Sequence, residues 1–110
     1  MIRITRNWDG ERYVFHAHGH AGDAPRGQSI ICAAASILIC TVRQIIAGNG
    51  GELEIDRVES GNVYLSAVNV AGQMEALRGV ETGLRMLEKA YPAEVQFTAR
   101  EVWDMSHMSR

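Results

Sequence analysis

"ERYVFHAHGHAGDAPRGQSIICAAASILIC", residues 11–40, changes its periodicity halfway along. In its first part apolar and polar residues alternate. Tyr13, Phe15 and Ala17 fall on one side, and His16, His18 and His20 on the other. That period of two marks a strand with one buried face. Gly22, Pro25 and Gly27 then break the pattern as a loop. Ser29 is a good N-cap, and the spacing predicts a helix from about Ile30 to Ala47, ended by "GNGG" at 48–51. This helix is apolar nearly all round through Leu38, so it is expected to be buried on more than one side, in part by a second subunit.

Outward from there, "MIRITRN" (1–7) alternates, with Ile2 and Ile4 opposite Arg3 and Thr5. Asp9-Gly10 turns it into the strand that follows, making a hairpin. Downstream, "ELEIDRVES" (52–60) and "NVYLSAVNV" (62–70) flank a Ser60-Gly61 turn as a second hairpin, with Leu53, Ile55, Val63 and Leu65 facing inward. A second helix is predicted over about Gly72 to Ala90. Its stripe is Met74, Leu77, either Val80 or Glu81, Leu84, Leu87 and Tyr91, with Pro92 beyond its end. "EVQFTAREV" (94–102) reads as a last strand with Val95, Phe97 and Ala99 inward, and "WDMSHMSR" (103–110) as a loose tail. The order ββαββαβ is an α+β fold: two helices packed on one face of a small, mostly antiparallel sheet, in a single domain over 1–110.

At 110 residues the chain is long enough for one core without staples. With 46% hydrophobic and 22% charged residues it reads as an ordinary soluble globular protein. A net charge of −2 gives no electrostatic reason to expect nucleic acid as a partner. It does not argue against a basic polypeptide. The N-terminus lacks a signal-peptide h-region, and the apolar run "IICAAASILIC" (30–40) is too short to span a bilayer. Cys32 and Cys40 lie two helical turns apart, about 12 Å, beyond the reach of a disulfide. A reduced, cytoplasmic protein is expected.

Cys32 falls at the third helical position, where free backbone N–H groups and the positive end of the helix dipole favour a thiolate. That is what a cysteine nucleophile needs. From position alone, a buried cysteine acting as a small hydrophobe is the better account. Cys40, mid-helix, reads as core. His20, between Gly19 and Ala21, ends a strand and opens the loop that leads to the helix of Cys32. Strand end and helix start therefore lie side by side, and a base within reach of the thiol would complete a Cys–His pair. Ser36, one turn beyond Cys32 on the same face, supports the surroundings of the cysteine or simply bonds back to a carbonyl.

Alternating histidines also share metals. Three along one strand are spaced by about 6.7 Å per step, awkward for a single ion. Two histidines with Cys32 remain a rival metal or redox-sensing constellation. No metal or other cofactor is expected.

The motif Gly19-His20-Ala21, a glycine-rich loop, then Gly27-Gln28-Ser29-Ile30-Ile31-Cys32-Ala33-Ala34-Ala35-Ser36 resembles the ribosomal-processing cysteine protease family Prp. The likeness continues through "AYPAEVQFTAREV" (90–102). It implies a cysteine endopeptidase with a catalytic dyad of His20 and Cys32. The implied substrate is the N-terminal extension of a bacterial large-subunit ribosomal protein, number twenty-seven, and the implied assembly is a homodimer. Gly19, Gly22, Gly27, Ser29 and Ser36 would be supporting residues, with Gly22 and Gly27 hinging a loop over 21–28 that substrate orders. Ser29 departs from the family, which carries Asp there. Serine caps a helix as well as aspartate does. If the aspartate instead serves the dyad, Asp23 is a neighbouring substitute, or the chain is a non-catalytic dimeric module that binds a basic ribosomal peptide.

Overall fold

The computed structural model describes residues 1–20 and 30–101. The predicted loop at 21–28, Ser29 and the tail lie outside the described residues. Strands β1 (Ile2–Trp8) and β2 (Arg12–His18) form the first hairpin, and helix α1 (Ile30–Gly48) follows. Then come β3 (Glu52–Glu59), β4 (Asn62–Val68), a 3-10 turn (Ala71–Gln73), helix α2 (Met74–Ala90) and β5 (Val95–Glu101). The sheet runs β3-β4-β2-β1-β5, antiparallel except for the parallel pair β1–β5. Both helices pack on one face, as the ββαββαβ reading predicted.

The alternation of β1 and β2 sends Ile2, Ile4, Tyr13, Phe15 and Ala17 inward. They meet Ala35, Ile39, Val42 and Ile46 of α1 and Met74, Leu77 and Leu84 of α2. The first turn is built by Asp9, whose carboxylate accepts the backbone N–H groups of Glu11 at 2.8 Å and Arg12 at 2.7 Å. These bonds hold its carboxyl below the ordinary carboxylate range. Arg43 of α1 donates to Asp56 of β3 at 2.8 and 2.6 Å, tying the helix to the edge strand.

Four expectations need correction. Cys40 is exposed, because the buried stripe of α1 runs along Ala35, Ile39, Val42 and Ile46 and leaves position 40 on the other side. Ile55 is exposed as well. A register shift between Leu53 and Ile55 pairs Leu53 with Ala67 but Ile55 with Ser66, so the irregularity at Glu54 reverses the inward parity. Tyr91 is outside the apolar stripe and exposed, since α2 ends at Ala90 and Tyr91 leaves helical geometry at φ −134°. Finally, α1 covers Ile30–Gly48, one residue beyond the predicted end, and although the run 30–40 is too short to span a bilayer, the 19-residue helix is by length and composition alone long enough to cross a membrane. Its stripe in the core and its bond to Asp56 place it against the sheet.

The choice between Val80 and Glu81 falls to Glu81, which is buried. Arg6 occupies an inward position of β1 and is buried too. Its Nε and Nη2 donate to the two carboxylate oxygens of Glu81 at 3.0 and 2.6 Å. Its Nη1 reaches the Arg100 carbonyl at 3.1 Å and Glu101 at 3.2 Å. The Tyr13 hydroxyl donates to the same carboxylate at 2.8 Å. Burial, then the charge of Glu81, push the Tyr13 hydroxyl far above the ordinary phenol range, so it stays a neutral donor. Removing the anion leaves a buried guanidinium uncompensated. Glu81→Ala is therefore expected to lose about 3–5 kcal/mol in chemical denaturation, and Tyr13→Phe about 1 kcal/mol. Equal losses for the two variants would show that the charge pair is not the anchor of α2.

Candidate active site

β2 ends at His18, and the chain turns at Gly19, where φ is +101°. This left-handed conformation favours glycine. Space demands it too, because a Cβ here would overlap the Met1 carbonyl oxygen. The Gly19 N–H donates to the Gly61 carbonyl at 3.0 Å. The Met1 amino group donates to the His20 carbonyl at 2.7 Å. The backbone of His20 is thus held between the start of β1 and the β3–β4 turn. Its side chain is exposed.

Cys32 stands in the first turn of α1, half-buried, and packs with Ile31 against the core. Helix α1 ends at Gly48 and is followed by β3, whose first residue pairs with Val68 at the far end of the sheet. The helix is about 28 Å long, so its first turn comes back over the end of β3. There lie Glu59, the Gly61 turn and, through the pair His18–Asn62, the end of β2. By this path the first turn of α1, with Cys32, runs toward the end of the sheet where β2 gives way to Gly19 and His20. The first-turn N–H groups of α1, which have no partner within the helix, are also at that end. Ser36 is exposed one turn on, so it does not lie deeper beside Cys32. Gly22, Asp23, Gly27 and Ser29 lie outside the described residues.

The rival constellation is not assembled. His16 and His18 project from the outer face of β2, their ring centroids 5.0 Å apart, while α1 packs on the inner face. His16 Nε2 bonds Asn62 Oδ1 at 3.1 Å, and its ring lies 5.4 Å from that of Tyr64. Among the described residues, no three metal-ligating side chains come together. One participant escaped the sequence reading. The imidazole of His20 lies against Gly61, a residue recognisable in the sequence only as part of a turn.

The two positive-φ glycines on either side of β2 differ in what surrounds them. Gly10 has φ +93° with open space around an added Cβ, whereas Gly19 has φ +101° and the Met1 carbonyl in the way. Gly10→Ala is expected to cost about 1 kcal/mol from backbone strain. Gly19→Ala should cost clearly more in thermal denaturation. Equal melting temperatures for the two variants would contradict the close approach of Met1 and Gly19.

Comparison with solved structures returns the same architecture. The ribosomal processing protease Prp from S. aureus, in complex with a covalently linked product peptide, matches with a TM-score of 0.72 at 19% identity, over 91% of this chain and 100% of that one. The same protease with a substrate peptide matches at 0.66 and 18%, with the same coverage. SMU.848 from Streptococcus mutans matches at 0.63 and 21%, over 93% of this chain and 96% of that one. At these identities the likeness is one of fold. Among curated protein sequences, none matches. The sequence profile described as cysteine protease Prp matches residues 1–96 of the 110, and the chain therefore belongs to the Prp family of cysteine proteases.

Proposed function

We propose that this protein is an endopeptidase that removes the N-terminal extension of a bacterial large-subunit ribosomal protein, number twenty-seven, with Cys32 as nucleophile and His20 as base. The observation that carries the reading is the arrangement at one end of the sheet. A half-buried thiol in the first turn of α1 and an exposed imidazole on a doubly held backbone sit inside the family's motif. The fold neighbour from S. aureus is a ribosomal processing protease seen with product and substrate peptides, which favours a ribosomal-protein peptide as the substrate here.

In this reading His20 takes the proton of the Cys32 thiol, and Sγ attacks the scissile carbonyl carbon. The carbonyl oxygen becomes an oxyanion, met by N–H groups at the start of α1. As the C–N bond breaks, His20 returns its proton to the leaving amine. Water then attacks the thioester and gives a proton to His20, which passes it to the departing thiolate. No cofactor enters any step. Cys32→Ala and His20→Ala are each expected to lower cleavage of an extended ribosomal-protein peptide by about 10³-fold or more. Cys40→Ala should leave cleavage largely intact. Product is read by mass spectrometry. Undiminished cleavage by the Cys32 variant would overturn the nucleophile assignment. Wild-type protein that binds the peptide without cutting it would instead establish the non-catalytic module.

The same reading includes a homodimer. Ile30 is 80% and Ile37 66% exposed, with Ala33 exposed between them and Cys40 one turn beyond. Only 22% of the most apolar stretch of α1 is buried. A stripe at helical spacing with so little cover is suited to a second copy of the chain. Ile37→Glu, on a side chain that does little for the monomer, is expected to shift sedimentation from dimer to monomer without unfolding. A wild-type monomer at micromolar concentration would remove the dimer from this proposal.

A further inference from the structure

We propose that Gly61, in the turn between β3 and β4, is a positioning residue for His20, its missing side chain leaving the space in which the imidazole is seated. This rests on the reading of His20 as the base. A Cβ at position 61 would lie 2.5 Å from His20 Nε2, 2.9 Å from Cε1 and 3.4 Å from Cδ2. Those three atoms are one edge of the ring. The first two separations are well inside the distance of about 3.5 Å at which non-bonded heavy atoms rest.

What gives way on collision is decided by what is fixed. The turn is fixed. The Gly61 carbonyl accepts the Gly19 N–H at 3.0 Å, the neighbouring Asn62 pairs with both His18 and Glu59, and its side chain bonds His16 at 3.1 Å. The His20 backbone is fixed by its carbonyl, 2.7 Å from the Met1 amino group. The imidazole is the movable part, an exposed side chain with two rotatable bonds. A methyl group at 61 therefore displaces the ring and leaves the sheet in place. Displacement of a base by about 1 Å is enough to cost on the order of 100-fold in rate.

Gly61 also has φ +75°, so any substitution there adds backbone strain. The fold supplies a control for that term. Gly10 has φ +93° and Gly50 φ +88°, and an added Cβ at either meets nothing within 4 Å. Alanine at those positions carries the strain without the collision.

The experiment uses the full chain in four forms: Gly61→Ala, Gly61→Asn, Gly10→Ala and His20→Gln. Asparagine tolerates positive φ better than alanine and brings the same Cβ, so it serves where the alanine variant folds poorly. Cleavage of the extended peptide gives kcat and KM, and the imidazole Cε1–Hε1 signals are recorded by NMR, that of His20 being identified by its loss in His20→Gln. Both Gly61 variants should lower kcat by about 10–100-fold with KM within about two-fold, and should move the His20 signal more than those of His16 and His18. Gly10→Ala should lose a similar amount of thermal stability with kcat and the His20 signal unchanged. If folded Gly61 variants keep the wild-type kcat and His20 signal, or if Gly10→Ala loses as much activity as they do, the proposal is overturned. If His20→Gln cleaves as well as wild type, the base assignment fails, while the NMR shift still reports whether Gly61 seats the ring.

Discussion

The guanidinium of Arg6 is buried on the face of β1 that packs against the helices, and it requires an anion there. An ion taken out of water without a partner costs several kcal/mol. Glu81 meets it through two parallel bonds, the geometry in which guanidinium and carboxylate interact most strongly. The consequence reaches beyond the pair. With Glu81 turned inward, helical spacing places Met74, Leu77 and Leu84 on the same side, and these are the residues of α2 that fill the core. Tyr13 brings β2 into the arrangement, and the Arg100 carbonyl with Glu101 brings in β5. One side chain thus fixes the rotation of a helix against three strands. Apolar packing alone would tolerate small rotations of α2, whereas a bidentate pair does not.

The opposite end of the sheet is organised differently. Among the described residues, no buried charge holds it. Its order comes from backbone bonds between segments that are far apart in the chain: Gly19 to Gly61, and Met1 to His20. Close approach of main chains is possible because two of the four residues are glycines, one against the Met1 carbonyl and the other against an imidazole. The end that carries His20 is therefore shaped by backbone and by space, and the opposite end by a desolvated ion pair. Loops carried at the rim of a rigid sheet are a common place for chemistry.

Most of this was legible in the sequence, because each element carries its own period. The alternation of β1 and β2, the turns at Asp9-Gly10 and Ser60-Gly61, and the order of elements follow from local pattern. So do the first-turn position of Cys32 and the strand-end position of His20. The failures share one cause, which is that burial is decided between elements. The first half of α1 is apolar nearly all round and gives little sign of its exposed side, so Cys40 reads as core though it is exposed. The irregularity at Glu54 reverses the parity of β3 without any breaker residue to announce it, and Ile55 turns outward. Arg6 is a polar residue in an apolar register, and only Glu81, distant in the chain, explains it. Gly61 is visible as a turn residue, but its contact with His20 exists only once two hairpins pair.

Helix α1 carries two loads that pull against each other. Its inner stripe of Ala35, Ile39, Val42 and Ile46 is ordinary core, and a narrow one. The remainder, with Ile30 and Ile37 largely exposed, is more apolar than solvent contact alone would favour. The same helix begins with the turn that holds Cys32. Ile30 stands two residues before the cysteine and Ala33 one after it, so whatever covers the outer stripe also borders the thiol. Excluding water there would strengthen the attraction between a thiolate and the N–H groups at the helix start, because charge–dipole interactions grow as the local dielectric falls. On the proposed dimer and nucleophile, covering the outer face of α1 and setting the surroundings of its first turn would be one physical act.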